Sequence, residues 1–80
     1  MTNKQEILVV EDEQSISNFI CAILHSHDYL PISAMTGKEA MALLSGRVPE
    51  LMILDLGLPD MDGLEIIRQV RQWSQLPIIV

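Results

Sequence analysis

Residues 7–13 read Ile-Leu-Val-Val-Glu-Asp-Glu, and residues 51–55 read Leu-Met-Ile-Leu-Asp. Each stretch is a short run, apolar at every position, that ends abruptly in acidic residues. Such a run is typical of a parallel strand covered on both faces, whereas a half-exposed strand would alternate apolar and polar residues. The two stretches therefore predict two central strands of a parallel sheet, each followed at once by carboxylates.

Two further segments complete the set of predicted strands. Residues 78–80 form another fully apolar run. Residues 30–34 are a weaker candidate that contains Pro31, and a proline in a strand favours an edge position because it cannot donate to the ladder.

Helical patterns separate the four strands. Apolar residues at three- and four-residue spacing predict a first helix with one apolar stripe, formed by Ile16, Phe19, Ile20, Ile23 and Leu24. The second helix is predicted to start at Thr36, which can cap it and to which Glu39 can reach back, and to stop at Gly46. Its inner face is assigned to Ala40, Leu43 and Leu44. The third helix is expected to start near Gly63, with apolar residues at every third position, namely Leu64, Ile67, Val70 and Trp73.

The order β-α-β-α-β-α-β predicts an α/β fold, a doubly wound parallel sheet with right-handed crossovers. With the first strand central, the second lies on one side and the third on the other, which gives the strand order 2-1-3-4. The first helix then covers one face of the sheet and the other two helices cover the opposite face. Strand ends beside such a reversal point form the crevice where open α/β sheets bind ligands.

Glu11 and Asp12 follow the first strand and Asp55 follows the third, so the predicted topology brings three carboxylates to one crevice. Close carboxylates repel one another unless a cation or a raised pKa relieves them. Oxygen ligands without a neighbouring Cys or His cluster favour Mg²⁺, beside which one carboxylate could act as a nucleophile toward a phosphoryl group.

The acidic run at 11–13 and the stretch Leu-Asp-Leu-Gly-Leu-Pro-Asp-Met-Asp-Gly at 54–63 resemble the receiver domains of two-component response regulators. The likeness covers the whole chain, and residues 55–80 resemble in particular a branch that regulates transcription. It implies a flavodoxin-like receiver fold in which Asp55 is the phosphoacceptor. It further implies a Mg²⁺ site made of Asp12, Asp55 and the backbone carbonyl of Gly57, with Glu11 acting largely through metal-bound water.

The resemblance also implies partners. A sensor histidine kinase would phosphorylate Asp55, and a winged-helix DNA-binding output domain would regulate transcription. The chain would be a phosphoacceptor with at most weak self-dephosphorylation, not an enzyme. Asp60 and Asp62 are interpreted as turn residues without a chemical role.

The amino-acid composition bears on DNA contact, on location and on membrane contact. Eleven acids against five bases give a net charge of −6, so DNA contact is expected outside these residues. A single cysteine and the lack of a signal peptide or a long apolar segment favour the cytoplasm, with no membrane contact.

Receivers also use a Ser or Thr after the fourth strand and a Lys after the fifth, and both positions fall beyond Val80. We therefore expect residues 1–80 to be a partial receiver, without the fifth strand, the C-terminal part of the domain and the output domain. An uncovered helix face and an open fourth strand should make such a fragment self-associate as a dimer or higher assembly.

Two rival functions are open to a chain of this kind. A haloacid-dehalogenase-like phosphohydrolase also uses an aspartyl nucleophile with Mg²⁺, but it needs a second Asp two residues later, where this chain has Gly57. A degenerate receiver that only binds a partner protein would not need the acidic triad that this chain retains.

Overall fold

The computed structural model describes residues 4–80 and contains four strands and three helices. In chain order they are β1 Glu6–Val10, α1 Gln14–Ser26, β2 Leu30–Ala34, α2 Gly37–Gly46, β3 Leu51–Leu54, α3 Gly63–Arg71 and β4 Ile78–Ile79. The predicted bounds of β2 and β3 are confirmed. β1 begins one residue earlier than predicted, and β4 ends one residue earlier.

The strands form one parallel sheet in the order β2-β1-β3-β4, which confirms the predicted topology. β2, which contains Pro31, lies at an edge as expected. Val10, the last residue of β1, is in register with Leu54 on one side and with Ala34 on the other. The carboxyl ends of these three strands are therefore level with one another.

The main hydrophobic core lies between the sheet and the pair α2 and α3. Alternate residues of the two central strands point into it, and Leu8, Val10, Met52 and Leu54 are almost completely buried there. Helix α2 contributes Ala40 and Leu44, and Leu43 packs at the margin of the core as predicted for the inner face. Helix α1 packs on the opposite face, over β1 and β2.

The apolar series predicted for α3 is right for Ile67 and Val70 and wrong for Leu64 and Trp73. Leu64 and Trp73 are exposed at 54% and 50%, whereas Ile66, which the three-residue spacing passed over, is completely buried together with Val70. An α-helix has 3.6 residues per turn, so a series taken at every third position drifts around the helix. The buried face follows residues 63, 66, 67 and 70, with Ile67 at the margin of the core.

The apolar stripe of α1 is only partly buried, which also differs from expectation. Ser17 is the buried residue of this helix, and its hydroxyl pairs with that of Ser33 on β2 at 3.2 Å. Ile16, Phe19 and Ile23 are exposed, Phe19 at 67%. The side of α1 that faces β2 is therefore centred on Ser17, and the larger apolar residues at 16, 19 and 23 lie outside this contact.

Candidate functional site: a carboxylate cluster at the ends of β1 and β3

Backbone hydrogen bonds continue the ladder one step past the ends of the strands. The amide of Asp55 donates to the carbonyl of Val10 at 3.0 Å, and the amide of Glu11 donates to the carbonyl of Ala34 at 3.0 Å. Glu11 and Asp55 are thereby held side by side, each one residue beyond its strand. The backbone places both acids before any side-chain contact is made.

The three predicted site carboxylates lie together. Glu11, Asp12 and Asp55 each offer one carboxylate oxygen, and these oxygens all lie within 4.8 Å of one another. Glu11 and Asp55 are half-buried, and Asp12 is exposed. The predicted convergence of the two strand ends is therefore confirmed, although 43 positions separate residues 12 and 55 in the sequence.

The cluster carries an unbalanced negative charge. Within residues 4–80, the ion pairs join Lys4 to Asp28, Arg47 to Glu6 and Arg68 to Glu65, so none of them involves a carboxylate of the cluster. Burial is the main cause that raises the pKa of Glu11, and the nearby charge of Asp55 and hydrogen bonding with Asp55 and Asp12 raise it further. A hydrogen bond from the backbone of Glu13 to Glu11 Oε2, 3.0 Å long, opposes this shift.

Asp55 has one fixed and one free carboxylate oxygen. The amide of Gly57 donates to Asp55 Oδ1 at 3.0 Å, which fixes the orientation of the carboxylate. Within residues 4–80, no N–H group donates to the other oxygen, Oδ2. One oxygen of a well-oriented carboxylate is therefore available to a ligand or to an electrophile.

Gly57, the fourth predicted site residue, follows the acid on the exposed loop between β3 and α3. A Cβ built at Gly57 would lie 3.6 Å from Asp55 Oδ1, which is ordinary van der Waals contact. The fold itself therefore does not require glycine here. If glycine is required at this position, the reason is a ligand that binds beside the carboxylates.

The sequence prediction missed what the other two acids of this loop do. Asp62 Oδ1 accepts a hydrogen bond from the amide of Leu64 at 3.0 Å and so caps α3. Asp60 accepts from the amides of Gly37 and Lys38 at the start of α2, at 2.8 and 2.9 Å. The position of Asp62 directly before a predicted helix start is a signal that could have indicated its cap. No such local signal exists for Asp60, because its partners lie more than 20 residues earlier in the chain.

Comparison with known proteins agrees with this fold and arrangement. The response regulator receiver domain family matches residues 7–80, so the chain belongs to that family. Its members are signalling modules, not classical enzymes.

Among curated proteins, the chain is 46% identical over its full length to the KDP operon transcriptional regulatory protein KdpE of Escherichia coli K12, of which it covers 34%. Among solved structures it is similar to the chemotaxis response regulator CheY4 of Vibrio cholerae, with a TM-score of 0.89 and 29% identity, covering 95% of this chain and 66% of that one. The BeF3-activated receiver domain of Klebsiella pneumoniae RstA gives a TM-score of 0.86 and 33% identity, covering 91% and 62% respectively. The chain thus spans about a third of the length of the regulator and less than two thirds of the RstA receiver.

The length and composition of the helices can be compared with those of membrane-spanning helices. Between residues 4 and 80, none of the three helices combines the length and the apolar character that a membrane crossing requires.

Proposed function

We propose that this chain is the phosphoacceptor part of a response regulator that controls transcription, and that Asp55 accepts a phosphoryl group from a sensor histidine kinase. The observation that carries the proposal is the meeting of Glu11, Asp12 and Asp55 at the ends of β1 and β3, with carboxylate oxygens within 4.8 Å. Such a site suits phosphoryl transfer, which depends mainly on positioning and on neutralising charge.

Asp55 is the best placed nucleophile of the three acids. Its Oδ1 is held by the amide of Gly57, which leaves Oδ2 free to attack phosphorus. Glu11, by contrast, turns one carboxylate oxygen to its own loop, because Oε2 accepts a hydrogen bond from the amide of Glu13. In the proposed step a bond forms between Asp55 and phosphorus while the bond from phosphorus to the kinase imidazole nitrogen breaks, and the electron pair returns to that nitrogen.

The donor set fits Mg²⁺, because it consists of hard carboxylate oxygens and no nitrogen or sulfur ligand. Asp12, Asp55 and the carbonyl of Gly57 would hold the ion, and Glu11 would act largely through its water shell. When bound, Mg²⁺ supplies positive charge that offsets the phosphoryl oxygens. Self-dephosphorylation is at most weak in this proposal.

The remaining partners follow from the relatives that the chain matches. Those relatives are named as transcriptional regulators. The net charge of −6 supports an arrangement in which a DNA-binding output domain outside these residues makes any contact with DNA. A cytoplasmic location suits a kinase substrate that acts on DNA.

In the same proposal, residues 1–80 are a partial receiver, which agrees with the share of each solved receiver that the chain covers. The chain by itself would self-associate as a dimer or higher assembly. Apolar side chains that are exposed on α1 and at β4 support this, namely Ile16, Phe19, Ile23, Ile79 and Val80.

The test is to incubate the complete protein that contains these residues with acetyl phosphate and MgCl₂, and to measure its intact mass. We expect the gain of one phosphoryl group, lost with EDTA and lost in Asp55→Asn. The matched control is Asp28→Asn, which makes the same charge change at a distant turn where Asp28 pairs with Lys4. An unchanged wild-type mass, or a gain that survives Asp55→Asn, would contradict the proposal.

A further inference from the structure

The loop between β3 and α3, residues 55–62, is joined to the start of α2 by one side chain. Asp60 Oδ1 accepts a hydrogen bond from the amide of Gly37 at 2.8 Å, and Oδ2 accepts one from the amide of Lys38 at 2.9 Å. Both carboxylate oxygens are thus used on a helix that belongs to a different part of the chain. Asp60 links the segment that carries Asp55 to a second element of the fold.

The start of α2 depends on Asp60 as much as on its own cap. The first four amides of a helix have no partner within the helix. In α2 the side chain of Thr36 serves one of them, because its Oγ1 accepts from the amide of Glu39. Asp60 serves two more, the amides of Gly37 and Lys38. These two amide bonds hold the pKa of Asp60 below its ordinary range, so the carboxylate is ionised at neutral pH.

Packing joins the same two segments. Gly37 lies directly against Met61, so closely that a Cβ built on Gly37 would fall 2.2 Å from Met61 Cγ. On the other side of Asp60, Leu58 is buried in the core under α2 and α3. The loop therefore has two attachments after Gly57, an apolar one at Leu58 and a combined polar and apolar one at Asp60 and Met61.

We infer that Asp60 is a positioning residue for the phosphoacceptor site, because its two bonds to α2 hold the loop in the conformation that presents Asp55 and the carbonyl of Gly57. The reasoning is geometric: Gly57 is exposed, and the Asp60 attachment lies only three residues beyond it. Without these two hydrogen bonds, the path from Gly57 to α3 keeps only the apolar contacts of Leu58 and Met61 and the cap of Asp62. This role rests on the proposed function, since it concerns the same site.

Four variants of the complete protein separate this role from general stabilisation. Asp60→Ala removes both acceptors. Asp60→Asn keeps one acceptor oxygen, in its carboxamide, so it can accept only one of the two hydrogen bonds from α2. Thr36→Ala weakens the start of the same helix without releasing the loop, and Asp28→Asn repeats the charge change at a remote exposed site.

The first readout is the dissociation constant for Mg²⁺, obtained from shifts of the Asp55 and Gly57 amide resonances during a MgCl₂ titration. The second is hydrogen exchange of the loop amides, and the third is the rate of phosphorylation by acetyl phosphate. Loss of a residue that orients metal ligands typically costs 10–100-fold in affinity, so we expect Asp60→Ala to weaken Mg²⁺ binding by about tenfold. Exchange of the loop amides should rise, Asp60→Asn should lie between Asp60→Ala and wild type, and both controls should bind Mg²⁺ like the wild type.

Each outcome decides the matter. Wild-type Mg²⁺ affinity in a folded Asp60→Ala protein overturns the positioning role, and so does an equal loss in Thr36→Ala. If Asp60→Ala does not fold, wild-type affinity in Asp60→Asn overturns it. If one of these results overturns the positioning role but wild type is still phosphorylated on Asp55, the proposed function is retained. A wild-type protein that takes up neither Mg²⁺ nor a phosphoryl group overturns the positioning role and the proposed function together.

Discussion

Replacing Asp55 by Asn should stabilise the protein when no divalent cation is present. Asp55 is held near two other acids whose oxygens lie within 4.8 Å, and no Lys or Arg within residues 4–80 forms an ion pair with the three. Asn has the same shape, and its carbonyl oxygen can still accept the hydrogen bond from Gly57 that Asp55 Oδ1 accepts. The substitution therefore removes charge repulsion at little cost in packing.

The size of the effect follows from Coulomb's law. Two unit charges 4.8 Å apart repel by about 0.9 kcal/mol at the dielectric constant of water and by about 3.5 kcal/mol at an effective value of 20. The cluster is open to solvent, since Asp12 is exposed and the other two acids are half-buried, so the lower figure applies. Asp55 takes part in two of the three pairs, which predicts a gain in the free energy of unfolding of about 1–2 kcal/mol.

Magnesium should offset most of this difference in stability. A ligand that binds only the folded state at ten times its dissociation constant stabilises that state by about 1.4 kcal/mol. Wild type should gain this amount when MgCl₂ is added, whereas Asp55→Asn, which lacks a ligand carboxylate, should gain much less. Urea unfolding at pH 7, followed by circular dichroism in EDTA and in MgCl₂, measures both effects.

Two results would refute the reasoning. One is an Asp55→Asn protein that is no more stable than wild type in EDTA, and the other is an equal response of both proteins to MgCl₂. Asp28→Asn is the control for the change in net charge, because its stability should not respond to MgCl₂ differently from wild type.

Three other predictions concern packing and pH. Gly63→Ala should destabilise the protein by roughly 1–3 kcal/mol in urea unfolding, because a Cβ there would meet the Cα of Leu56 at 2.7 Å, whereas Gly57→Ala, which meets nothing closer than 3.6 Å, should fold like wild type. Ile66→Ala should cost about 2–5 kcal/mol because Ile66 is completely buried, and the matched change Leu64→Ala on the exposed side of α3 should cost far less, so equal losses would contradict the assigned helix face. Because the pKa of Asp60 is lowered from its ordinary 3.8, its ionised form stabilises the fold above that pH and this stabilisation is lost as the pH falls through the folded-state pKa. The difference in unfolding free energy between wild type and Asp60→Asn should therefore be constant above pH 3.8 and shrink below it, and a difference that grows on acidification would contradict the assignment.

Much of the fold could be read from local pattern alone. Strands β2 and β3 were predicted with their observed bounds, since short apolar runs between polar segments have few alternative structures. The alternation of strands and helices then predicted a parallel sheet, and taking the first strand as central gave the strand order that the structure shows. The meeting of Glu11, Asp12 and Asp55 followed, because the acids stand directly after strands whose ends the topology makes adjacent.

Tertiary structure alone decided which side of each helix is buried and what Asp60 does. In α1 and α3 several apolar residues could face the sheet, and the folded chain buries Ser17 and not Phe19 in α1, and Ile66 and not Leu64 in α3. Asp60 stands in a turn where an acid is common for local reasons, so its neighbours in sequence carry no sign of the amides at Gly37 and Lys38. Periodicity and strand order are properties of short segments, whereas a hydrogen bond between distant segments exists only after the chain has packed.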